Sequence, residues 1–325
     1  MKKYVELLLI SLLMTPASCS FPPPQSPPLK IVIYATWPTS AVIFIAQEHG
    51  LFAKYGVPIT FVPTADYLEA ITFYKEGKAD ITFAALTDAI VLDAEWKSTR
   101  FIYAVDYSKN GDFIVGQPTL NNLSDLKGKK VSFEGFNSFS HLFVLKLLER
   151  VGLKEGDFQA ANIENTSVLD ALETGKIDAG HVYGIAIPTA LAKGYKILGK
   201  AGDVPYLITD GFVADADILK TRRQDVQGVV NVLAEAIDWL KQYPEEGAKI
   251  IAKYTNIPQA ELETTLKGIH IFTSQENKAA FKQKGALIET GQEIIEFFRE
   301  KGTLLNLPNI NKIIDGQFVN AIGDK

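Results

Sequence analysis

Two short segments, Gly77-Lys78-Ala79-Asp80 and Gly175-Lys176-Ile177-Asp178, carry one pattern, one in each half of the chain. Each segment follows a predicted helix and opens a predicted strand. The glycine ends the helix in a left-handed conformation, and the lysine can lie near the negative helix end. Because both segments fall at the same point of a strand–helix array, they predict two similar lobes. A ligand would then bind between the lobes, at the carboxyl ends of the strands.

The first array surrounds residues 77–80. A β-branched run at 30–35 is typical of a buried strand. Asp66, with Glu69 three residues later, is typical of an N-cap and capping box. The patterns predict strands at 30–35, 57–62, 79–83 and 101–105, and helices at 41–49, 66–76 and 87–97.

The second array repeats this alternation around residues 175–178. It consists of a helical turn at 124–127, strands at 130–134, 158–163 and 177–182, and helices at 138–151 and 166–174. From about residue 225 to residue 301 the chain is predicted to be almost wholly helical. Short βαβα units predict an α/β fold in which helices cover both faces of mostly parallel sheets.

The N-terminus has the features of an export signal. Lys2 and Lys3 precede a short apolar run at residues 7–14, and the small residues Ala17 and Ser18 follow. This order predicts a signal peptide at residues 1–18. The run is shorter than the roughly 20 apolar residues that a spanning helix needs. We expect an exported protein that is not integral to the membrane.

The segment 15–19, Thr-Pro-Ala-Ser-Cys, resembles the lipobox of bacterial lipoproteins, which implies a lipid anchor on Cys19. Pro16 stands where leucine is usual and Glu6 intrudes near the basic region, so an ordinary cleaved signal is the alternative. Residues 19–28 are rich in proline and predict an extended tether. The expected location is the periplasmic face of the inner membrane, or the cell surface.

Composition excludes several classes of function. The net charge of −5 argues against nucleic acid or an anionic membrane surface as the main partner. Cys19 is the only cysteine, so the chain has no disulfide, and the mature body has no thiolate nucleophile or thiolate metal site. The four histidines show no metal-binding spacing, and no GxSxG elbow, Walker loop or GxGxxG occurs.

Four motifs carry a resemblance to a known family. They are GLFAKYGV at 50–57, DLKGKKV at 125–131, the paired turns at 77–80 and 175–178, and SKNGD at 108–112. In this order they resemble the solute-binding proteins of ABC importers in the nitrate/sulfonate/taurine family, which also includes binders of thiamine-precursor pyrimidines. The similarity runs, with gaps, from about residue 30 to about residue 267.

The resemblance implies a two-lobed, type II periplasmic-binding-protein-like fold with a helical C-terminal region covering lobe 1. Lobe 1 would comprise residues 29–108 and 212–325, and lobe 2 residues 109–211, with crossings near 106–112 and 209–213. A small ligand would close the lobes, and the closed form would dock on ABC permease subunits. We expect a monomer without a cofactor.

Site residues are expected in the loops after strands, where helix N-termini favour anions. Lobe 1 offers Trp37, a stacking surface or a core aromatic, and Asp88, a ligand contact or a helix cap. The other candidates in these loops are Thr36, Thr39, Ser40, Leu86 and Thr87.

Lobe 2 offers donors at the start of its first long helix. They are Asn137, Ser138, Ser140 and His141. Ser138 could instead be a plain N-cap, and His141 is expected to be a neutral hydrogen-bonding residue. Tyr183 follows a strand and is either an aromatic lid over the ligand or a structural residue.

The charges of these loops favour a nitrogen-containing ligand. The loops contain no arginine, whereas Glu134, Asp88, Asp106, Asp112 and Asp210 stand near strand ends or crossings. A buried carboxylate needs a partner, which a ligand amine or amidine could supply. We therefore favour an aminopyrimidine, an amine or a zwitterion. The acids could instead cap helices or pair with Lys109 or Lys129, and backbone N–H groups could bind a sulfonate, taurine or nitrate.

Two other functions remain as alternatives. A ligand-sensing subunit of a membrane receptor would use the same closure. An enzyme on the same fold, resembling a thiamine-pyrimidine synthase, would carry a cysteine-rich motif that this chain lacks. Glu134 and Asp106 could be paired as in a hydrolase, but the sequence does not fix their separation. We expect a binding protein rather than an enzyme.

Overall fold

The computed structural model describes residues 27–184, 186–304 and 306–323. The predicted signal peptide, Cys19 and most of the predicted tether lie outside the described residues. Within the described residues no helix has the length and apolar character needed to cross a membrane.

Eleven strands are present in the described part of the chain. They are β1 (Leu29–Tyr34), β2 (Ile59–Thr64), β3 (Ile81–Ala85), β4 (Thr99–Ser108), β5 (Asp112–Gly116), β6 (Lys130–Phe133), β7 (Gln159–Asn162), β8 (Ala179–Tyr183), β9 (Lys196–Lys200), β10 (Thr209–Asp215) and β11 (Ile269–Ile271).

The α-helices fall into two groups. The helices before β10 are α1 (Val42–Glu48), α2 (Leu51–Lys54), α3 (Tyr67–Lys75), α4 (Leu86–Glu95), α5 (Phe139–Glu149), α6 (Asn165–Glu173) and α7 (Ala186–Ala192). Those after it are α8 (Ala216–Thr221), α9 (Arg223–Gln242), α10 (Pro244–Thr255), α11 (Gln259–Gly268), α12 (Ser274–Ala280), α13 (Ala286–Lys301), α14 (Ile310–Ile313) and α15 (Gln317–Asn320). The segments 123–126 and 201–203 form 3₁₀ turns.

The strands form two sheets, one for each lobe. The sheet of lobe 1 has the order β11-β4-β10-β3-β1-β2, and the sheet of lobe 2 has the order β7-β6-β8-β5-β9. Helices pack against these sheets, and the C-terminal helices return to lobe 1, where α9 packs on α1 and α13 packs on α4. The predicted α/β, two-lobed fold with a helical C-terminal region is therefore confirmed.

The prediction of mostly parallel sheets needs one correction. The ladders of β1 with β2 and β3, and of β6 with β7 and β8, are parallel. However, β10 runs antiparallel between β3 and β4, and β5 runs antiparallel between β8 and β9. Both β5 and β10 are the first strand after the chain crosses between the lobes, so each of them starts at the cleft. The adjacent strands end at the cleft, and the pairing is therefore antiparallel.

Two short links join the lobes. The first comprises residues 109–111, between β4 and β5, and the second comprises residues 201–208, between β9 and β10. The second crossing thus precedes the expected segment 209–213, which lies inside β10. The backbone N–H groups of Lys109 and Asn110 donate to the Gly268 carbonyl oxygen, at 3.0 and 2.7 Å. This contact ties the first link to the segment that leads into β11.

The repeated Gly-Lys-x-Asp segments have the same structural role in the two lobes. Gly77 and Gly175 have φ angles of 71° and 68°, the left-handed conformation that ends a helix. The Asp80 carboxylate accepts the Lys30 N–H at 2.8 Å. In lobe 2 the Asp178 carboxylate accepts the Lys130 N–H, also at 2.8 Å. The repeated aspartate therefore makes the same hydrogen bond in both lobes, to the backbone N–H of a lysine at the beginning of a neighbouring strand.

Candidate functional site

A cavity of about 10 Å³ lies between the lobes, where strands of both sheets meet. This volume is far below the roughly 300–1,000 Å³ that is usual for drug-sized ligands, so the lobes are closed on each other here and must separate to admit a solute. Its walls are formed by Tyr34, Trp37, Tyr67, Phe83, Asp112, Phe139, Tyr183, Ile208 and Asp210.

Four aromatic rings form a closed circuit around this space, here called the aromatic cage. Tyr34 and Tyr67 belong to lobe 1, and Phe139 and Tyr183 belong to lobe 2. Their successive ring centroids are 5.9 Å (Tyr34–Tyr67), 5.1 Å (Tyr67–Phe139), 5.6 Å (Phe139–Tyr183) and 6.3 Å (Tyr183–Tyr34) apart. Each lobe supplies two rings, so the cage is complete only when the lobes are together.

Trp37 extends this aromatic wall from the first loop of lobe 1. Its ring is only 3% exposed and lies 6.3 Å from that of Tyr183, in an edge-to-face arrangement. A Cβ added at Gly111 would approach the indole to 3.2 Å, and one added at Gly184 would approach it to 3.5 Å. Trp37 therefore packs closely on the link and on lobe 2 while also facing the cavity.

Three carboxylates, those of Asp106, Asp112 and Asp210, form an acidic cluster at this end of the cavity. Asp106 and Asp210 are paired across β4 and β10, and Asp112 opens β5. Asp106 Oδ2 accepts the Trp37 indole N–H at 3.1 Å and the Thr39 hydroxyl. Asp106 Oδ1 and Asp112 Oδ2 are buried and have no hydrogen-bond partner within the described residues. The cluster therefore has unused acceptor capacity.

The cluster is electrostatically unfavourable when its acids are ionised. Burial raises the pKa of Asp106 to about 7, and the neighbouring Asp112 charge adds to the rise. Burial, followed by the charges of Asp106, Asp112 and Asp88, holds the pKa of Asp210 well above its usual range. Like charges that share a buried site hinder one another's ionisation, and a cation placed between them would relieve this.

Glu134 forms a second acidic position, at the end of β6. Burial raises its pKa to about 8, although the Tyr183 hydroxyl donates to its Oε2 and opposes the rise. Its Oε1 has no partner within the described residues. The Tyr183 ring thus lines the cavity while its hydroxyl holds Glu134 in place.

Asp88 does not cap its own helix. It lies in the first turn of α4, whose N-cap residue is Ala85 and which has no side-chain cap. Its Oδ1 instead accepts the Phe139 N–H at the start of α5, at 3.1 Å, and its Oδ2 accepts the Tyr67 hydroxyl at 2.5 Å. The carboxylate therefore joins lobe 1 to lobe 2.

Within the described residues no lysine or arginine forms an ion pair with the five acids near the cavity. These are Asp88, Asp106, Asp112, Glu134 and Asp210. Among the ion pairs within 4.0 Å there, Asp112 pairs with His181, and no Lys or Arg contacts the other four. The expected alternative of pairs with Lys109 or Lys129 is therefore not what the structure shows. The described part of the chain also contains no group of three or more His, Cys, Asp or Glu residues placed to hold a metal ion.

Asp112, His181 and Ser140 form a hydrogen-bonded chain that has the order of a hydrolytic triad. His181 Nε2 lies 2.9 Å from Asp112 Oδ1, and its Nδ1 lies 2.7 Å from Ser140 Oγ. However, Ser140 is fully buried, and its Oγ accepts the Glu134 N–H at 2.9 Å. In lobe 1 Ser40 Oγ accepts the Tyr34 N–H at the same distance. The serine therefore supports the strand end and does not face a substrate.

The remaining predicted donors of lobe 2 lie at the edge of the site. Ser138 is the N-cap of α5 and accepts the His141 N–H at 3.3 Å, so the capping alternative describes it. His141 stacks on Phe133 and bonds Glu155, away from the cavity walls. Burial lowers its pKa, which agrees with a neutral role. Asn137 has a φ of 59° and donates its N–H to His141 Nδ1 at 3.1 Å.

Three predicted residues of lobe 1 contribute less than expected, and several important ones were missed. Thr36 lies half-buried in the turn after β1, and Leu86 is buried at the start of α4. The Thr87 hydroxyl is buried without a partner within the described residues. Sequence reasoning missed Tyr34, Tyr67, Phe139 and His181. For Tyr34 a signal existed, since Tyr34 precedes Ser40 by the same six residues that separate Glu134 from Ser140.

The chain is similar in sequence and in fold to several binding proteins. A Brucella abortus protein named as a binding protein is 26% identical over 254 residues, 77% of this chain and 78% of the relative. The taurine-binding periplasmic protein of Escherichia coli is 27% identical over 183 residues, 52% of this chain and 55% of that protein. The crystal structure of the periplasmic aliphatic sulphonate binding protein SsuA from Escherichia coli superposes with a TM-score of 0.73. It shares 20% identity, over 91% of this chain and all of that one.

An enzyme is also among the similar proteins. The 4-amino-5-hydroxymethyl-2-methylpyrimidine phosphate synthase of Uromyces fabae is 26% identical over 156 residues, 46% of this chain and 45% of the enzyme. Fold alone therefore does not separate binding from catalysis. The family model described as NMT1/THI5 like matches residues 37–247, which include most of the cavity walls. This chain belongs to the NMT1/THI5-like family.

Proposed function

We propose that this protein is the exported solute-binding subunit of an ABC importer and that its ligand is a small nitrogen-containing organic solute with a cationic or hydrogen-bond-donor group. The observation that carries the ligand class is the acidic cluster of Asp106, Asp112 and Asp210 beside an aromatic wall. Unpaired buried carboxylates favour a positively charged or donor-rich partner. Aromatic faces attract the same groups through cation–π interactions.

The cavity supports an amine, an amidine-like aminopyrimidine or a zwitterion over a simple anion. Two carboxylate oxygens of the cluster, Asp106 Oδ1 and Asp112 Oδ2, are free to accept ligand N–H groups. Glu134 Oε1 is a third free acceptor, on the lobe 2 side. Above the raised pKa values of these acids, an anion would meet their negative charges, and no lysine or arginine of the described residues pairs with them to offset those charges. A sulfonate without an amine would therefore bind weakly, whereas a zwitterion such as taurine would bring an ammonium group to the acids.

The proposed mechanism is closure, without covalent chemistry. Rings and carboxylates from both lobes surround the cavity, so a ligand that contacts all of them favours the closed arrangement. The closed form would present the surfaces of both lobes to permease subunits. Cys19 would hold the protein near its permease by a lipid, and the proline-rich tether would set the distance.

A thermal-shift screen tests the ligand class, because a ligand that binds only the folded form raises the midpoint. Small amines, aminopyrimidines, taurine, methanesulfonate and nitrate are compared at equal ionic strength. We expect the amines and aminopyrimidines to raise the midpoint and the simple anions to leave it unchanged. Stabilisation by methanesulfonate or nitrate alone would overturn the cationic ligand.

Two further measurements address the importer and the anchor. The ligand-bound protein should stimulate ATP hydrolysis by a cognate permease and ATPase, and no response would favour a receptor partner. Intact mass of the membrane-extracted protein should show an acylated Cys19 as the N-terminal residue. A mature chain with a free thiol on Cys19 would refute the anchor while leaving the binding function intact.

A further inference from the structure

We propose that the Asp88 carboxylate is a tethered anion, which fills the place at the start of α5 where an anionic ligand group would bind. By filling it, Asp88 excludes anionic ligands and holds the two lobes together. The proposal deepens the proposed function, because it names the residue that sets the charge selectivity of the same cleft.

The start of α5 is suited to an anion. α5 has eleven residues, and the first N–H groups of a helix have no partners within the helix and carry the positive end of its dipole. Helices often place an acid in their own first turn, but the first turn of α5 contains none. Its Phe139 N–H instead donates to Asp88 of the other lobe, at 3.1 Å. A side chain from α4 thus supplies the missing negative charge.

The position of Asp88 is fixed rather than incidental. The residue is only 7% exposed, and both of its carboxylate oxygens accept hydrogen bonds, from the Phe139 N–H and from the Tyr67 hydroxyl. The Tyr67 hydroxyl in turn accepts the Ala85 N–H at 2.9 Å. Tyr67 and Phe139 both line the cavity, so the tethered anion lies directly behind its wall.

This arrangement distinguishes Asp88 from the acidic cluster. Asp106 and Asp112 each keep one buried oxygen without a partner in the described residues, whereas Asp88 has both oxygens occupied. Asp88 therefore offsets the positive end of the α5 dipole, while the acidic cluster keeps acceptors for a ligand cation. Removing Asp88 should create room and donors for an anion.

The test compares Asp88→Ala, which vacates the position, with Asp88→Asn, which keeps an acceptor and fills the space. Each purified full-length chain is titrated calorimetrically with methanesulfonate and with nitrate at pH 8, where Asp88 is ionised, since burial raises its pKa to about 6. We expect Asp88→Ala to bind methanesulfonate at least tenfold more tightly than the wild type, and Asp88→Asn to resemble the wild type.

Two outcomes would overturn the proposal. One is a folded Asp88→Ala protein with unchanged affinity for both anions. The other is a loss of amine affinity as large as that of Asp210→Asn with no gain for anions, which would make Asp88 a direct ligand contact. The anion titrations do not depend on the amine ligand. A wild type that binds no amine would therefore refute the proposed function without deciding this one.

A second pair of variants serves if Asp88→Ala does not fold. Proline is tolerated at the first position of a helix, so Phe139→Pro removes the donor N–H, and Phe139→Ala removes the same ring but keeps that N–H. We expect the proline variant to have the larger radius of gyration in small-angle X-ray scattering, because it loses the contact between the lobes. Equal radii for the two variants would refute the role of Asp88 in holding the lobes together.

Discussion

The two lobes share a backbone arrangement but differ in the side chain that they present to the cleft. In lobe 1 the Ser40 hydroxyl accepts the N–H of Tyr34, and in lobe 2 the Ser140 hydroxyl accepts the N–H of Glu134, both at 2.9 Å. The supported residue is an aromatic in one lobe and an acid in the other. The comparison shows that the repeat sets where a side chain stands, while the residue at that position sets the ligand chemistry.

The difference extends to the strands that start at the cleft. Asp112 opens β5 and Asp210 lies in β10, the two antiparallel strands that follow the crossings. Asp210 is paired with Asp106, near the end of β4, within the sheet of lobe 1, and Asp112 approaches them from lobe 2. The repeated sequence pattern does not include these three acids. The acidic cluster therefore forms only when the two lobes are together.

The largest effect should come from the acidic cluster, which lies outside the repeat. Asp210→Asn should weaken amine binding about thirtyfold, since a buried charged contact contributes roughly 2 kcal/mol. The same change relieves repulsion with Asp106 and Asp112, so the thermal midpoint should rise. Calorimetry and thermal unfolding check both directions.

A matched control for that change is Asp217→Asn, which removes the same charge from a side chain that is 84% exposed. It should alter neither affinity nor midpoint. If Asp210→Asn leaves amine affinity unchanged, the cluster does not contact the ligand.

The next effect should come from Trp37, which only lobe 1 provides. Trp37→Ala should weaken ligand binding at least about tenfold through loss of an aromatic face. Because Trp37 is buried and bonds Asp106, the stability is also expected to fall. Trp37→Phe keeps a ring and separates these effects. Trp96→Ala, at a 59% exposed tryptophan, is the control. A loss of stability with unchanged affinity would make Trp37 a core residue.

Glu134 and Tyr34 occupy equivalent positions in the two lobes, and their substitution should have smaller and different effects on amine affinity. Glu134→Gln should reduce affinity for a permanently charged amine several-fold, because one acceptor charge is lost, whereas Tyr34→Phe should change it less. Calorimetric titrations of both variants at pH 9 check the order. Tighter amine binding by Glu134→Gln would contradict a cationic group at this position.

The raised pKa values of Glu134 and Asp106 predict how stability and ligand affinity depend on pH. Burial raises the pKa of Glu134 to about 8 and that of Asp106 to about 7, above their values in the unfolded chain. The folded protein therefore retains protons that the unfolded chain has lost, and stability should decrease from about pH 4 to about pH 8. Affinity for a permanently charged amine should increase from pH 6 to pH 9. Glu134→Gln should flatten both profiles, and unchanged slopes would contradict the assignment.

The smallest effects should come from the repeated serines. Ser40→Ala and Ser140→Ala each remove a side-chain acceptor for a buried N–H and should cost about 1–2 kcal/mol of unfolding free energy. Urea unfolding measures both. Similar values would support an equivalent structural role. A much larger loss of ligand affinity in Ser140→Ala would indicate that the hydrogen-bonded chain from Ser140 through His181 to Asp112 contributes to ligand binding.

Local patterns predicted most elements of the first 180 residues, because strand runs, caps and stop signals act over a few residues. Ser138 caps α5 and Asp66 accepts the Glu69 N–H at 3.0 Å, as their spacing indicated. β10 was missed because Gly211 stands in its centre and weakens the strand pattern. The reason for that glycine is tertiary: an added Cβ would lie 2.3 Å from Phe101 and 2.4 Å from the Tyr103 carbonyl oxygen.

The sequence alone determined the α/β class, the two related arrays and the acidic, arginine-free character of the candidate loops. These features depend on residue type and on short-range spacing. Tertiary structure decided which acids meet, which aromatic rings surround the cavity, and that Asp88 contacts α5 instead of capping α4. The reason is physical: these contacts join segments far apart in the chain, through two antiparallel strands whose direction is set by the crossings between the lobes.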